Sequence, residues 1–124
     1  MSYKIKWEKE GVHMTFSGVI KTGEVTKVDS EIYSDPRFNG IKYFIWDATN
    51  ATMIMQTKDE TKLQAVCDYG ASSYKRIIKG VFLANDENIR EHIAHYIDTA
   101  LECESKWDLK FFDTIKNARA WVST

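Results

Sequence analysis

The stretch Ile41-Lys42-Tyr43-Phe44-Ile45-Trp46-Asp47 constrains the fold more than any other part of the chain. Successive side chains of a strand point to opposite faces. Tyr43 and Ile45 therefore share one face, and Phe44 and Trp46 share the other. A strand with two apolar faces has to be covered on both sides, which places it inside a sheet and points to parallel neighbours. It ends on Asp47, and Thr57-Lys58-Asp59-Glu60 then supplies a T-x-x-E capping box that opens a helix. Strand, loop and capped helix make one unit of an α/β fold. The carboxyl end of such a strand is where these folds commonly place a ligand.

The rest of the chain extends this pattern. Tyr3, Ile5 and Trp7 alternate with Lys4, Lys6 and Glu8; after a turn at 9–11, Val12, Met14 and Phe16 alternate with His13, Thr15 and Ser17. A period of two predicts two strands, and the short turn makes them an antiparallel hairpin. Thr22-Gly23-Glu24 opens a helix with Thr22 as its expected cap. Val25, Val28, Ile32 and Tyr33 form its apolar stripe, and Asp35-Pro36 stops it. Beyond Thr57, the residues Leu63, Val66, Cys67, Gly70 and Tyr74 recur at helical spacing and are expected to face the core. A strand at 81–84 precedes a long helix that begins at Asn85-Asp86 and turns Ile89, Ile93, Tyr96, Ile97, Ala100 and Leu101 inward. The last strand runs over 109–112, with Trp107 as an alternative start. Asp113-Thr114 caps a terminal helix with Ile115, Ala118, Trp121 and Val122 inward. The order β-β-α-β-α-β-α-β-α predicts a single α/β domain over 1–124, with a mostly parallel sheet of about five strands, an N-terminal antiparallel hairpin and about four helices.

Charge removes several classes of function. Seventeen basic residues against eighteen acidic ones give a net charge of −1, with no basic stripe for nucleic acid and no polybasic run for anionic lipid. Lysines interrupt the amino terminus too soon for a signal peptide, and no apolar run is long enough to span a membrane. A cytoplasmic location with Cys67 and Cys103 as reduced thiols is the expectation.

No motif announces a reaction. There is no G-x-S-x-G elbow, and Gly18, Gly23, Gly40 and Gly80 are isolated, so no phosphate-cradling loop is present. His92 and His95 lie three apart on the long helix but lack a convincing third metal ligand, and both are expected at the surface, as is His13 on its strand in part. Asp47 could meet a ligand, though its expected role is to accept backbone amides of the following loop. Thr57 is expected to be a helix cap. Rings are abundant at Tyr43, Phe44, Trp46, Phe82, Trp107, Phe111 and Phe112. Core packing accounts for most of them; unequal cover of the two sheet faces would leave some for a partner or an apolar ligand.

The ordered set Gly18-Val19-Ile20, Ile32-Tyr33-Ser34-Asp35-Pro36-Arg37-Phe38, Tyr43-Phe44-Ile45-Trp46-Asp47-Ala48-Thr49, Trp107 to Phe112 and Ala118-Arg119-Ala120-Trp121 resembles the SpoIIAA-like family, with the STAS fold of anti-sigma-factor antagonists. The resemblance spans nearly the whole chain. It implies a protein-interaction or ligand-sensing module and not an enzyme, with no cofactor. Phosphorylated antagonists of this fold carry a strand-end Asp and then a D-S-S-G-L-like segment whose second serine accepts phosphate. Thr57 occupies that serine's place, but its neighbours are Gln56, Lys58 and Asp59, so the Asp-Ser pair and the glycine are absent.

The expected function is therefore a non-enzymatic STAS-like module for a protein partner, a second copy of the chain being one candidate. The alternative is a carrier or sensor of a small amphipathic, lipid-like molecule, and the third reading is a phosphorylation-controlled antagonist. Asp47, Trp46 and Trp107 are the candidate ligand or partner surface. Self-association is expected around Trp107 and the long helix, which requires an exposed ring there.

Overall fold

The structure, a computed structural model, describes residues 3–74 and 78–124; of Cys67 and residues 72–74 it describes the backbone alone. The elements are β1 (Tyr3–Trp7), β2 (Gly11–Ile20), α1 (Glu24–Ser34), a 3-10 turn (Pro36–Gly40), β3 (Tyr43–Ile54), α2 (Lys58–Tyr74), β4 (Lys79–Ala84), α3 (Glu87–Glu102), β5 (Asp108–Phe111) and α4 (Ile115–Val122). They form one sheet in the order β1-β2-β3-β4-β5. β1 is antiparallel to β2 and every other pairing is parallel. β3 is the central strand, as its two apolar faces require.

This strand order decides where the helices go. β2, β3, β4 and β5 follow one another in one direction across the sheet, and right-handed crossovers then set α1, α2 and α3 on the same face. Phe44, Trp46 and Phe82 meet these helices in the larger core, with Val28, Ile32, Ala65, Ile89 and Ile93. Ile45, Val81 and Leu83 point to the opposite face, where Ala118 of α4 covers them. The helical face is built of touching rings: centroids lie 4.6 Å apart for Phe16–Trp46, 5.8 Å for Phe44–Phe82 and 5.6 Å for Phe44–Trp107. Gly80 allows this crowding. A Cβ there would stand 2.4 Å from Phe44 Cζ and 2.5 Å from Leu109 Cδ2, so β4 passes beneath the Phe44 ring only without a side chain.

Several elements depart from the expectations. β3 does not end at Asp47 but continues to Ile54, paired with β2 alone beyond the reach of β4. Ala48 to Thr52 have the small polar look of a loop, yet their backbone is hydrogen-bonded into the ladder. The register between β2 and β3 shifts twice, and Gly18, with φ +68°, takes up the second irregularity in a left-handed conformation that suits glycine. Thr22 does not cap α1. Gly23 holds that position with φ 86°, and the Thr22 hydroxyl instead donates to the Met55 carbonyl at 2.7 Å.

The largest departure is the face of α2. Leu63 is 65% exposed and Val66 52%, whereas Thr61, Ala65 and Asp68 are buried; Gly70 is exposed as well. Leu63, Val66 and Gly70 of the stripe expected to face inward thus look outward, because hydrogen bonds to other helices hold polar side chains on the buried side; the Tyr74 side chain lies outside the described residues. Leu101 and Ile115 are exposed too, each in a terminal turn of its helix. The part expected of the Cys67 side chain lies outside the described residues.

Candidate functional site

α1 and α2 are joined across the sheet by polar side chains. Asp68 of α2 is buried and accepts two tyrosine hydroxyls: Tyr33 of α1 donates to Oδ1 at 2.5 Å, and Tyr96 of α3 donates to Oδ2. Asp29 of α1 stands beside it, half-buried by surface area yet densely surrounded by protein atoms. Burial, and then the charge of Asp68, push the Asp29 carboxyl well above the ordinary carboxylate range. Asp68 is also raised by burial, but the two tyrosines and Asp29 donate to it and counter that rise. The two carboxyl groups titrate together, and Asp29 is the more strongly raised of the two. Burial raises both tyrosines well above their usual range, so they remain donors.

A directed chain of hydrogen bonds reaches Asp29 from the other side. His92 Nε2 lies 2.7 Å from Gln56 Oε1, an acceptor, so this nitrogen carries hydrogen. Gln56 Nε2 donates to Gln64 Oε1 at 3.1 Å, and Gln64 Nε2 donates to Asp29 Oδ2 at 3.2 Å. Burial lowers the His92 pKa, which keeps the ring neutral and the chain oriented. His92 is thus half-buried and engaged, not a simple surface histidine.

Two spaces adjoin this network. A cavity of about 30 Å3 lies between Asp29, Asp68 and the rings of Tyr33, Trp46, Tyr96 and Trp107. This is room for about one or two water molecules. An open groove of about 600 Å3 runs between α1 and α2, walled by Thr26, Ser30, Ser34, Glu60 and Leu63. Asp29, Tyr33 and Gln64 line both spaces, so these three side chains form the partition between cavity and groove. A volume of this order falls in the range of sites for small organic molecules.

Of the residues singled out in the sequence, Trp46 and Trp107 come together here. They are 5% and 6% exposed and both line the cavity. Neither Trp107 nor Tyr96 presents the exposed ring on which self-association around the long helix depended, since both are buried. Phe111 lies under the Arg90 guanidinium at 4.3 Å, and Phe112 packs on Trp121. Asp47 is not part of the cavity. It accepts the Thr49 amide at 3.0 Å, the backbone role expected of it though within the strand and not at its end, and lies 3.1 Å from His13 Nε2. The cavity sits over the helical face, beside Ile41 before β3 and Trp107 before β5, and not at the carboxyl end of β3. Asp29, Asp68, Tyr33 and Tyr96 were not foreseen as a site. Nothing in the local sequence of Asp68 distinguishes it from a solvated acid.

Thr57 is exposed and makes the capping box its sequence predicts. The Glu60 amide donates to Thr57 Oγ1 at 3.1 Å, and the Thr57 amide donates to Glu60 Oε1 at 3.3 Å. Thr57→Ala is expected to lower stability by about 0.5–2 kcal/mol, and Thr57→Asp to retain most of it. Denaturant midpoints of the two variants beside the wild type check this. A phosphate on Thr57 would stand against the Glu60 carboxylate, which already faces the hydroxyl at 3.0 Å.

A second polar network fastens α4 to the hairpin. Arg119 donates to Glu8 Oε1 and Oε2 at 3.0 and 2.8 Å, and the Tyr43 hydroxyl also donates to Glu8. Arg119 further approaches Nδ1 of His13 at 3.4 Å, so His13 does not stand alone. The Arg119 hydrogen bonds hold the Glu8 carboxyl down from 4.5 to about 2, against the opposing effect of burial. A depressed folded-state pKa gives stability that is complete above 4.5 and is lost as pH falls toward 2. With half-exposed Arg119 discounted for solvent screening, the loss is about 1–2 kcal/mol. Glu8→Gln should remove this part of the acid dependence, read as unfolding midpoints between pH 5 and 2.

Among the described residues, no three His, Cys, Asp or Glu side chains are grouped to hold a metal, and no helix is long and apolar enough to cross a membrane.

The sheet order, the antiparallel first strand and the four helices define a SpoIIAA-like α/β fold. The chain is similar to the crystal structure of an uncharacterized protein of the DUF3478 family with a SpoIIAA-like fold, from Shewanella loihica PV-4. The two superpose with a TM-score of 0.57 at 11% sequence identity, over 97% of this chain and 91% of the other. No protein-family profile matches the sequence, and no curated protein matches it.

Proposed function

We propose that this protein is a non-enzymatic SpoIIAA-like module that binds a small amphipathic molecule in the groove between α1 and α2. The observation that carries this reading is the partition of Asp29, Tyr33 and Gln64, which joins a 600 Å3 open groove to a ring-lined cavity behind it. Helices that pack directly exclude such a space; here polar bridges hold them apart. The exposed Leu63 beside the groove adds an apolar surface for the tail of a ligand.

The reading as a module for a protein partner draws on a different place. Val19, Met53 and Met55 are exposed near the end of the β2–β3 ribbon, beyond the reach of β4. Phosphorylation control through Thr57 is the least supported, because Glu60 opposes the added charge.

Binding of the uncharged dye Nile red, followed by its emission, tests the groove. Saturable one-to-one binding is expected for the wild type. Ser30→Trp, at an exposed position on the groove wall, is expected to abolish it without shifting the unfolding midpoint. Absence of saturable binding, or binding indifferent to Ser30→Trp, overturns the reading. In native mass spectra of protein purified from cells, a bound small molecule favours the carrier, and a ligand-free dimer favours the partner module.

A further inference from the structure

The lining of the two spaces is asymmetric in charge. It contains three carboxyl groups, those of Asp29, Asp68 and Glu60, and among the described lining residues no Lys, Arg or His. An anionic head group would enter against like charge and find no cation to pair with. A neutral head group would leave Asp68, where it is charged, held only by its hydrogen bonds, those of the Tyr33 and Tyr96 hydroxyls among them, as in the empty protein. A cation would cancel that charge inside a low-dielectric space, where such pairing is strongest. The rings of Tyr33, Trp46 and Trp107 also line the cavity, and aromatic rings attract a cation placed over their faces.

Size narrows the head group further. The cavity of about 30 Å3 admits something the size of a water molecule. A primary ammonium group fits that limit; a trimethylammonium group is several times larger. A primary ammonium also brings three N–H donors and no acceptor. That matches a pair of carboxyl groups, which offers oxygen acceptors.

From these observations we infer that the ligand of the groove is a primary alkylamine, its ammonium head seated at the Asp29–Asp68 pair and its apolar tail lying along the α1–α2 groove past Leu63. This rests on the groove reading above and specifies its ligand class. Gln64 and Tyr33 form the gate, since they stand between the groove and the cavity. The tail contributes through burial of its methylenes, and the head provides selectivity.

Calorimetric titration at pH 7 with four eight-carbon probes tests the inference: n-octylamine, octan-1-ol, octanoate and octyltrimethylammonium. Octylamine is expected to bind at least tenfold more tightly than each of the other three. The Asp29→Asn, Asp68→Asn double variant is expected to lose that preference while still binding octanol, which also shows that the groove remains folded. If octanol or octanoate binds within threefold of octylamine, the amine inference fails and the groove reading stands. Equal binding of octyltrimethylammonium overturns the primary-ammonium head. If no probe and no Nile red binds, the groove reading falls and takes this inference with it. The comparison of head groups in the wild type decides the matter even where the double variant does not fold.

Discussion

Trp107→Ala is expected to destabilise the protein by about 3–5 kcal/mol, the range for removing a buried aromatic side chain from a core. Trp107 is 6% exposed and touches Phe44 and Tyr33, with ring centroids 5.6 and 6.3 Å away. Removing it enlarges the cavity beside Asp68 and unseats two rings that hold that wall. The expected readout is a large fall in the denaturant midpoint. Sedimentation at several concentrations should show the same oligomeric state as the wild type, because the ring is inside the protein and offers nothing to a second copy. A variant as stable as the wild type but altered in association would show that Trp107 is a surface residue after all.

The second large effect is expected at the carboxyl pair, where two substitutions should move stability in opposite directions. Asp68→Ala leaves the hydroxyls of Tyr33 and Tyr96 without their acceptor in a buried place, at a cost of about 3 kcal/mol. Asp29→Asn preserves the shape of the protonated acid, and its amide can donate to Asp68 as the acid does. The folded-state pKa of Asp29 is raised, so the native protein binds this proton more tightly than the unfolded chain does. The stability this confers is complete below the ordinary value of 3.8 and declines as pH rises above it. Asn does not titrate. The variant should therefore gain on the wild type as pH rises from 4 to 7. Unfolding midpoints across that range check it; a constant difference between the two proteins would show that Asp29 does not hold its proton.

These two residues also mark the limit of reading the chain as a string. Asp29 and Asp68 belong to different helices, and each looks like an ordinary acid among polar neighbours. The periodic apolar stripe of α1 is legible because Val25, Val28 and Ile32 obey the rule that apolar residues face inward. The same rule misplaces α2, since there the inward side is occupied by Thr61 and Asp68, with partners that lie on other elements. A buried polar side chain is stable only when its hydrogen bonds are met, and those partners come from residues 28 to 35 positions away. No local window contains that information.

The extension of β3 shows the same limit for backbone. Ala48 to Thr52 carry no alternating pattern, and it is β2, already continued through Gly18, that holds them in register. The sequence by itself determined the order of elements, the hairpin, the central place of Tyr43 to Asp47, the capping box at Thr57 and the cap of α4, where Thr114 accepts the Asn117 amide, because each depends on residues close together in the chain. Only the tertiary structure decided which face of α2 is buried, that Trp46 and Trp107 share one cavity, and that two distant carboxyl groups meet beside it. The physical reason is that these features follow from the single face on which three successive right-handed crossovers place α1, α2 and α3, and from hydrogen bonds that exist only once those helices are side by side.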